Sequence, residues 1–160
     1  MSLSKTPRIV KIKAVANTLP PGEFLIRHFN NEGELTAVDP ANPNAFHDDS
    51  HFILWEDRQA GTVASEALKF QNKFLRHKNF RVLLEESTPG DSSFDADRTF
   101  IIDLPRVGTL ADGTCSFRAS DRVTFPDHFI RHKDFHVFVN QVTDDEQAKQ
   151  DSTFVLVDSP

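Results

Sequence analysis

The sequence predicts an all-β fold built from one unit of about fifty residues that occurs three times. Residues 129–135 read Phe-Ile-Arg-His-Lys-Asp-Phe, residues 74–80 repeat this stretch almost letter for letter, and residues 25–30 keep its first half. A second motif, Asp-x-x-Phe, begins 19 to 21 residues after each histidine. Its copies lie at residues 49–52, 97–100 and 151–154. Two motifs in a constant order, three times over, indicate internal repetition.

Short stretches rich in apolar residues, several of them alternating with polar ones, supply about four strands in each unit. The predicted strands lie at residues 9–16, 24–28, 35–38, 52–55, 63–67, 74–77, 81–84, 99–102, 116–120, 129–132, 136–139 and 153–157. No segment shows a sustained period near 3.6, so helices are expected to be minor. A single helical turn is expected at residues 144–149.

Four strands cannot bury an apolar face alone, so the three units are expected to share one core. Twelve short strands in three equivalent sets fit a closed pseudo-threefold barrel, the β-trefoil, and closure removes exposed sheet edges. A three-bladed propeller is the alternative, but propellers usually have at least four blades. We predict a flexible lead-in at residues 1–8 and one β-trefoil domain at 9–160, with repeats at about 9–60, 61–110 and 111–160.

Composition excludes several classes of partner and narrows the class of protein. The 38% hydrophobic and 26% charged residues are ordinary for a globular domain, and the net charge of −6 argues against binding to nucleic acid or a membrane surface. No apolar run approaches the roughly 20 residues of a membrane helix. Cys115 is the only cysteine, which excludes an internal disulfide. The protein is expected to be a monomer. No signal peptide is evident in the sequence, and the cellular compartment is not predicted.

Catalytic and metal-binding signatures are weak in this sequence. It has no Ser/His/Asp signature in context, no phosphate-binding glycine loop and no acidic pair that stands out as an acid and a nucleophile. We therefore predict no enzymatic activity and no cofactor. One local cluster of polar residues, His47, Asp48, Asp49 and His51, is interpreted as a solvated turn rather than a metal site.

The repeated histidines and aspartates are the candidate binding residues. Under threefold symmetry they make three equivalent pockets, His28 with Asp49, His77 with Asp97, and His132 with Asp151. A carboxylate accepts two hydroxyl hydrogen bonds at once, and a neutral imidazole donates or accepts one more. This combination suits a small polyol such as a sugar ring. Phe80 and Phe135, three residues after their histidines, are expected to supply an apolar wall.

A structural interpretation of the same residues remains open. Polar side chains that hold a repeat together recur as faithfully as those that bind a ligand. An aspartate before Ser or Thr often forms a turn or a cap, and a buried histidine can donate to a backbone carbonyl. The repeated arginines, Arg27, Arg76 and Arg131, are interpreted as partners of acidic turn residues. Trp55 has no aromatic equivalent in the other units and is interpreted as a rim residue.

The two motifs resemble those of the arabinose-binding domain of B-type α-L-arabinofuranosidases, a β-trefoil carbohydrate-binding module. The resemblance is strongest in the third unit and weakest in the first. The matching stretches are residues 115–135 and 151–154, residues 70–80 and 97–100, and, in the first unit, residues 27–28 and 49–52. The first unit has Asn31 where the others have phenylalanine, and extra residues are expected at 32–33.

The resemblance implies a non-catalytic module that binds arabinofuranose side chains of hemicellulose through the histidine and aspartate of each motif. The implied partner is an arabinose-containing polysaccharide or oligosaccharide, and the implied role is that of an accessory module of a glycoside hydrolase in a family that is usually secreted. Asn79 and Asp134, which precede the two phenylalanines in the motif, complete the candidate set. The alternative is a protein-interaction β-trefoil that has lost or changed its sugar ligand.

Overall fold

The computed structural model describes residues 7–56, 61–107 and 113–159, and within these ranges it contains twelve strands and three short helices. Unit one comprises β1 (Arg8–Ala14), β2 (Phe24–Phe29), β3 (Glu32–Ala37), α1 (His47–Ser50) and β4 (Phe52–Glu56). Unit two comprises β5 (Thr62–Ala67), β6 (Lys73–Lys78), β7 (Arg81–Glu86), α2 (Ser92–Arg98) and β8 (Phe100–Asp103). Unit three comprises β9 (Thr114–Ala119), β10 (His128–Lys133), β11 (His136–Gln141), α3 (Glu146–Asp151) and β12 (Phe154–Asp158). Most of the predicted lead-in, residues 1–6, lies outside the described residues.

The first and fourth strands of the units form a closed barrel. Antiparallel pairing runs from β1 to β4, β5, β8, β9 and β12, and β12 pairs again with β1. The strand-pairing path therefore returns to its start. The barrel interior holds the main apolar cluster, which includes the equivalent phenylalanines Phe52, Phe100 and Phe154. Cys115 is buried in the same cluster, and burial raises the pKa of its thiol to about 11.

The second and third strands of each unit form a hairpin that covers one end of this barrel. β2 pairs with β3, β6 with β7, and β10 with β11. The third strands also pair with one another, β3 with β7, β7 with β11 and β11 with β3, so the three hairpins meet around one axis. A six-stranded barrel closed by three such hairpins is a β-trefoil, and the predicted fold is confirmed.

The hairpin turns share one unusual backbone conformation. Both central residues have positive φ in every copy, which is the type I′ turn that suits the twist of paired strands. The pairs are Asn30 with Asn31, Asn79 with Phe80, and Asp134 with Phe135. Asparagine and aspartate tolerate this region, whereas a bulky aromatic residue rarely adopts it. Phe80 and Phe135, at φ 65° and 63°, therefore need other contacts to hold them there.

The helices differ from what the sequence predicts. The third lies at Glu146–Asp151, slightly later than the turn expected at 144–149, and α1 and α2 were not predicted. The stretch interpreted as a solvated turn forms α1, and His51, just after it, is buried. Because these helices have four to seven residues, they are too short for a helical period to show in the sequence. No helix among the described residues is long and apolar enough to span a membrane.

The first hairpin has no insertion, so the expectation of extra residues at 32–33 was wrong. His28 pairs with Gly33 in the β2–β3 hairpin, as His77 pairs with Val82 and His132 with Val137 in the other two. Gly33 is therefore the equivalent of two valines. A Cβ atom at Gly33 would lie 3.2 Å from Val137 Cβ and 3.2 Å from Val82 Cγ1. The glycine makes room for both valines where the hairpins meet.

We expect Gly33→Val to lower the free energy of unfolding by about 1–3 kcal/mol, because three valines overpack this axis. Adding Val82→Gly restores the observed number of side chains there and should recover part of the loss. Urea unfolding of the two variants beside the parent chain measures both effects. Unchanged stability in Gly33→Val would show that the third strands do not pack as closely as described.

Candidate functional site

Each unit brings its two motifs together where its second strand faces its short helix. The arginine and histidine are the fourth and fifth residues of that strand, Arg27 and His28 in β2, Arg76 and His77 in β6, and Arg131 and His132 in β10. The aspartates lie on the helices, Asp49 on α1, Asp97 on α2 and Asp151 on α3. We call these three arrangements site one, site two and site three, in chain order.

The arginine of each site forms an ion pair with the aspartate. Arg27 Nη2 lies 2.7 Å from Asp49 Oδ2, Arg131 Nη2 lies 2.6 Å from Asp151 Oδ2, and Arg76 binds Asp97 in the same way. The pair fastens the helix to the hairpin. These aspartates do not cap the helices; Asp91 and Asp145 accept the N-cap hydrogen bonds of α2 and α3.

The histidine of each site is buried and packs against the closing strand. Exposure of His28, His77 and His132 is 4%, 3% and 4%. Each ring meets edge-on the phenylalanine that begins the fourth strand, with centroid distances of 6.3, 6.0 and 6.1 Å. That phenylalanine is the last residue of Asp-x-x-Phe. The motif recurs because both of its fixed residues adjoin the same imidazole.

One ring nitrogen of each histidine remains without a partner. Nε2 of His28, His77 and His132 is buried and makes no hydrogen bond within the described part of the chain, so it does not donate to a backbone carbonyl. The facing aspartate oxygen is too far for a direct bond. The distance to Oδ1 is 3.9 Å from His28 Nε2, 3.6 Å from His77 Nε2 and 3.8 Å from His132 Nδ1. At sites one and two a single hydroxyl group can bond to both the unpartnered Nε2 and the carboxylate, whereas at site three the nitrogen that faces Asp151 is Nδ1.

The imidazoles are neutral at neutral pH. Burial lowers the pKa of His28, His77 and His132 below the ordinary value of 6.5, while the facing aspartate opposes this change and the neighbouring arginine reinforces it. A neutral imidazole can donate or accept one hydrogen bond at Nε2, depending on its tautomer. Sites one and two therefore offer a hydroxyl one donor or acceptor at Nε2 beside a carboxylate acceptor.

The inner wall of each site comes from the next unit along the chain. Phe70, between β5 and β6, lies 5.6 Å from the ring of His28, and Phe125, between β9 and β10, lies 4.8 Å from the ring of His77. At site three the wall comes from unit one, because the three units form a closed ring. Leu19 of unit one lines a cavity of about 290 Å³ with His132. Sequence reasoning missed these residues, although a phenylalanine four residues before the strand phenylalanine occurs in both later units.

Phe80 and Phe135, predicted to form an apolar wall, lie beside sites two and three, and their contact with a ligand stays a prediction. The Phe80 ring stacks on His128 at 5.9 Å and meets Phe125 at 6.1 Å. The Phe135 ring stacks on Phe24 at 6.0 Å, and Phe135 lines the site-three cavity. These contacts hold two aromatic residues in left-handed backbone conformation, a strain that is typical of functional positions.

Asn79 and Asp134, the other predicted site residues, occupy the first turn positions, both at φ 52°. The turn alone accounts for an asparagine or aspartate at these places. Asp134 also lines the site-three cavity. Their part in ligand binding stays a prediction.

Site three is more closed than the other two. The side chain of Asp151 is 7% exposed, whereas those of Asp49 and Asp97 are each 22% exposed. Gln147 Nε2 donates to Asp151 Oδ1 at 2.7 Å and to Thr18 Oγ1 at 3.0 Å. All three residues line the cavity. Gln147 precedes Asp151 by one helical turn of α3, so only a correct helix prediction could have found it.

Other candidate residues lie away from these sites or form no constellation. Trp55 is partly exposed on β4, and its Nε1 donates to Glu66 Oε1 at 3.0 Å. Within residues 7–56, 61–107 and 113–159, no group of three His, Cys, Asp or Glu side chains is placed to hold a metal ion.

A β-trefoil with one Arg/Asp/His arrangement per unit is the class that fold and geometry define. The model of the alpha-L-arabinofuranosidase B (ABFB) domain family matches residues 21–156. The chain belongs to this family, and the resemblance drawn from its motifs is confirmed. No curated protein sequence matches the chain at a significant level.

Solved structures share the fold at low sequence identity. An arabinofuranosidase complexed with arabinofuranosyl-α-1,2-xylobiose superposes with a TM-score of 0.78 and 16% identity, over 98% of this chain and 32% of that one. An endo-β-galactosidase from Clostridium perfringens superposes with a TM-score of 0.66 and 9% sequence identity, over 96% of this chain and 33% of that chain. The Polyporus squamosus lectin superposes with a TM-score of 0.63 and 11% sequence identity, over 96% of this chain and 50% of that chain. The chain thus spans about a third of that arabinofuranosidase and half of that lectin.

The lowered histidine pKa values predict how stability depends on pH. Because the folded pKa of each site histidine lies below the unfolded value of 6.5, the contribution is complete above about pH 6.5 and is lost as the pH falls toward the folded pKa. Urea unfolding should therefore give a lower free energy at about pH 5.5 than at about pH 7.5. The decrease should be smaller in a His28→Phe/His77→Phe/His132→Phe variant. An equal decrease in that variant would contradict the assignment to these rings.

Proposed function

We propose that this chain is a non-catalytic sugar-binding module whose ligand enters the three Arg/Asp/His sites. The observation that carries the proposal is the buried, unpartnered Nε2 atom at all three sites. Leaving a buried polar group without a hydrogen bond costs about 1–3 kcal/mol. A cost repeated three times in one domain is best explained by a ligand that supplies the missing partner.

The geometry favours a hydroxylated ligand. At sites one and two one hydroxyl bridges Nε2 and Asp Oδ1, and an adjacent hydroxyl bonds to the remaining lone pairs of the carboxylate. At site three the two ring nitrogens of His132 bind separate hydroxyls, Nδ1 the one shared with Asp151 Oδ1 and Nε2 another. The arginine holds the other oxygen, so the carboxylate is oriented before the ligand arrives. Phe80 and Phe135 at the outer wall of sites two and three suit the C–H face of a sugar. Neutral hydroxyls beside an apolar face are the surface of a monosaccharide.

Arabinofuranose is the sugar that the family supports best. Domains of this family are named after α-L-arabinofuranosidase B, and one structural neighbour carries an arabinofuranosyl oligosaccharide. The proposed ligand is a terminal arabinofuranose side chain of a plant polysaccharide, bound through His77 with Asp97, His132 with Asp151, and His28 with Asp49. Two or three weak sites on one chain engage a branched polysaccharide together, which strengthens binding without new contacts.

The same geometry argues for binding without hydrolysis. Glycoside hydrolysis ordinarily needs two carboxyl groups on either side of the scissile bond, one as acid and one as nucleophile or base. At each site the carboxylate that faces the histidine already has one oxygen paired with an arginine. The other carboxylates that line these cavities are Asp48, which bonds to His47, and Asp134, which lies in a hairpin turn. Association with a hydrolase would supply the chemistry, and this chain would keep that enzyme on its polymer.

Replacing the three site histidines by phenylalanine tests the proposal. Phenylalanine keeps the ring packed against the closing strand but removes Nε2, so the urea midpoint at neutral pH should not fall. Affinity for arabinoxylan should fall about 10–100-fold for each live site, because a hydrogen bond to a charged or buried polar group is lost. Affinity electrophoresis in arabinoxylan gels measures the loss.

His136→Phe is the matched control, since it makes the same chemical change outside the sites, on β11, where His136 pairs with Glu34. It should leave arabinoxylan binding unchanged. A stable triple variant that retains full arabinoxylan affinity would overturn the proposal. No binding by the parent chain to any arabinose-containing sugar would favour a protein ligand instead.

A further inference from the structure

Site one lacks the aromatic outer wall of the other two sites. In sites two and three a turn phenylalanine stacks on the first residue of the next unit's second strand, Phe80 on His128 and Phe135 on Phe24. The equivalent positions around site one are Asn31, in the first turn, and Lys73, which begins β6. Two rings are therefore replaced by an amide and an ammonium group.

A second lysine lies at the inner wall of the same site. Lys69 Nζ is 3.8 Å from Asp49 Oδ1, and its side chain is 50% exposed. Lys69 Nζ and Lys73 Nζ lie 5.5 and 4.9 Å from the centroid of the Phe70 ring, which itself packs on His28. The residues that precede the corresponding wall residues of sites two and three are Thr124 and Thr18. Neither lysine has an equivalent at sites two and three, where a lysine, Lys78 or Lys133, instead follows the site histidine.

The charge around site one is positive although the chain is acidic. Arg27 and Lys69 form ion pairs with Asp49 at 2.7 and 3.8 Å, and Lys73 lies over the Phe70 ring beside them, whereas the whole chain has a net charge of −6. Asp48 lines the same cavity as Asp49 and Lys69, so three cations face two carboxylates. Asp48, the next carboxylate along α1, is exposed and hydrogen-bonded to His47. Besides burial, both lysines and Arg27 lower the pKa of His28, and Asp49 raises it. The charges of these cations therefore reach the imidazole of His28.

We propose that site one takes a sugar that carries an anionic group, a uronate carboxylate or a sulfate ester, while sites two and three take neutral sugars. This inference rests on the proposed sugar-binding function. A hydroxyl of the ring bridges His28 Nε2 and Asp49 Oδ1, and the anionic substituent binds Lys69 and Lys73. Asp49 excludes a bare anion from the inner position, so the sugar hydroxyls and the anion are both required.

The first experiment titrates the full chain with D-glucuronate, D-glucose 6-sulfate, D-glucose and L-arabinose, followed by protein-observed NMR. The two anionic sugars should bind site one at least about tenfold more tightly than D-glucose, with shifts centred on His28 and Lys69. Raising salt from about 20 mM to about 200 mM should weaken the anionic sugars and leave L-arabinose unchanged. A stronger response to one anion identifies which substituent the site prefers. Equal affinity for D-glucuronate, D-glucose 6-sulfate and D-glucose would overturn the inference.

The variant Lys69→Thr/Lys73→His gives site one the residues that site two has at these places. It should remove the preference for anionic sugars and leave L-arabinose binding at sites two and three intact. Lys11→Thr/Lys13→Thr removes the same charge on β1, outside the three sites, and should change neither. Anion preference that survives in Lys69→Thr/Lys73→His, or in His28→Phe, would overturn the inference.

The L-arabinose titration separates this inference from the proposed function. Absence of an anion preference in the parent chain, with intact arabinose binding at His77 and His132, contradicts only the assignment of site one. Absence of every sugar response contradicts both.

Discussion

The edge-on contact between each buried histidine and the phenylalanine of the closing strand is the interaction on which the rest of the structure depends. His77 and Phe100 show it at 6.0 Å. Because the histidine lies in the hairpin and the phenylalanine in the barrel, the contact joins the two layers of the trefoil. The Arg76–Asp97 ion pair then fastens the helix beside the same ring. One small cluster therefore sets both the packing of a unit and the shape of its site.

The residue that would stabilise this cluster best differs from the residue that a ligand needs there. A phenylalanine in place of the histidine would pack in the same space without an unpartnered nitrogen. The histidine is retained three times, and two aromatic turn residues, Phe80 and Phe135, are held at positive φ beside it. Natural sequences accept such local costs mainly at functional positions. The differences among the sites, Gln147 at site three and Lys69 at site one, indicate three variations on one ligand-binding geometry.

The fold and the pairing of histidine with aspartate could be predicted from the sequence because both repeat. All twelve predicted strands occur, since short alternating segments and turn residues recur at fixed spacing. The helices could not be predicted, because four to seven residues carry no helical period. The walls of the sites were missed for a different reason. Phe70 and Phe125 recur at a fixed spacing before the strand phenylalanine, but each contacts a histidine of the preceding unit, and that partner cannot be read from the spacing within one unit. Gly33, by contrast, was misread as part of an insertion because no strand register was available.

The measurement that tests the account most directly is the ¹⁵N NMR signal of the histidine side chains during titration with L-arabinose and arabino-oligosaccharides, with D-xylose as the control. We predict that Nε2 of His77 and the ring nitrogens of His132 shift strongly on addition of the arabinose-containing sugars, as hydroxyls engage them, while the signals of exposed His136 stay in place. Unchanged Nε2 signals at saturating sugar would contradict the account, because a ligand would then either bind elsewhere or not bind at all.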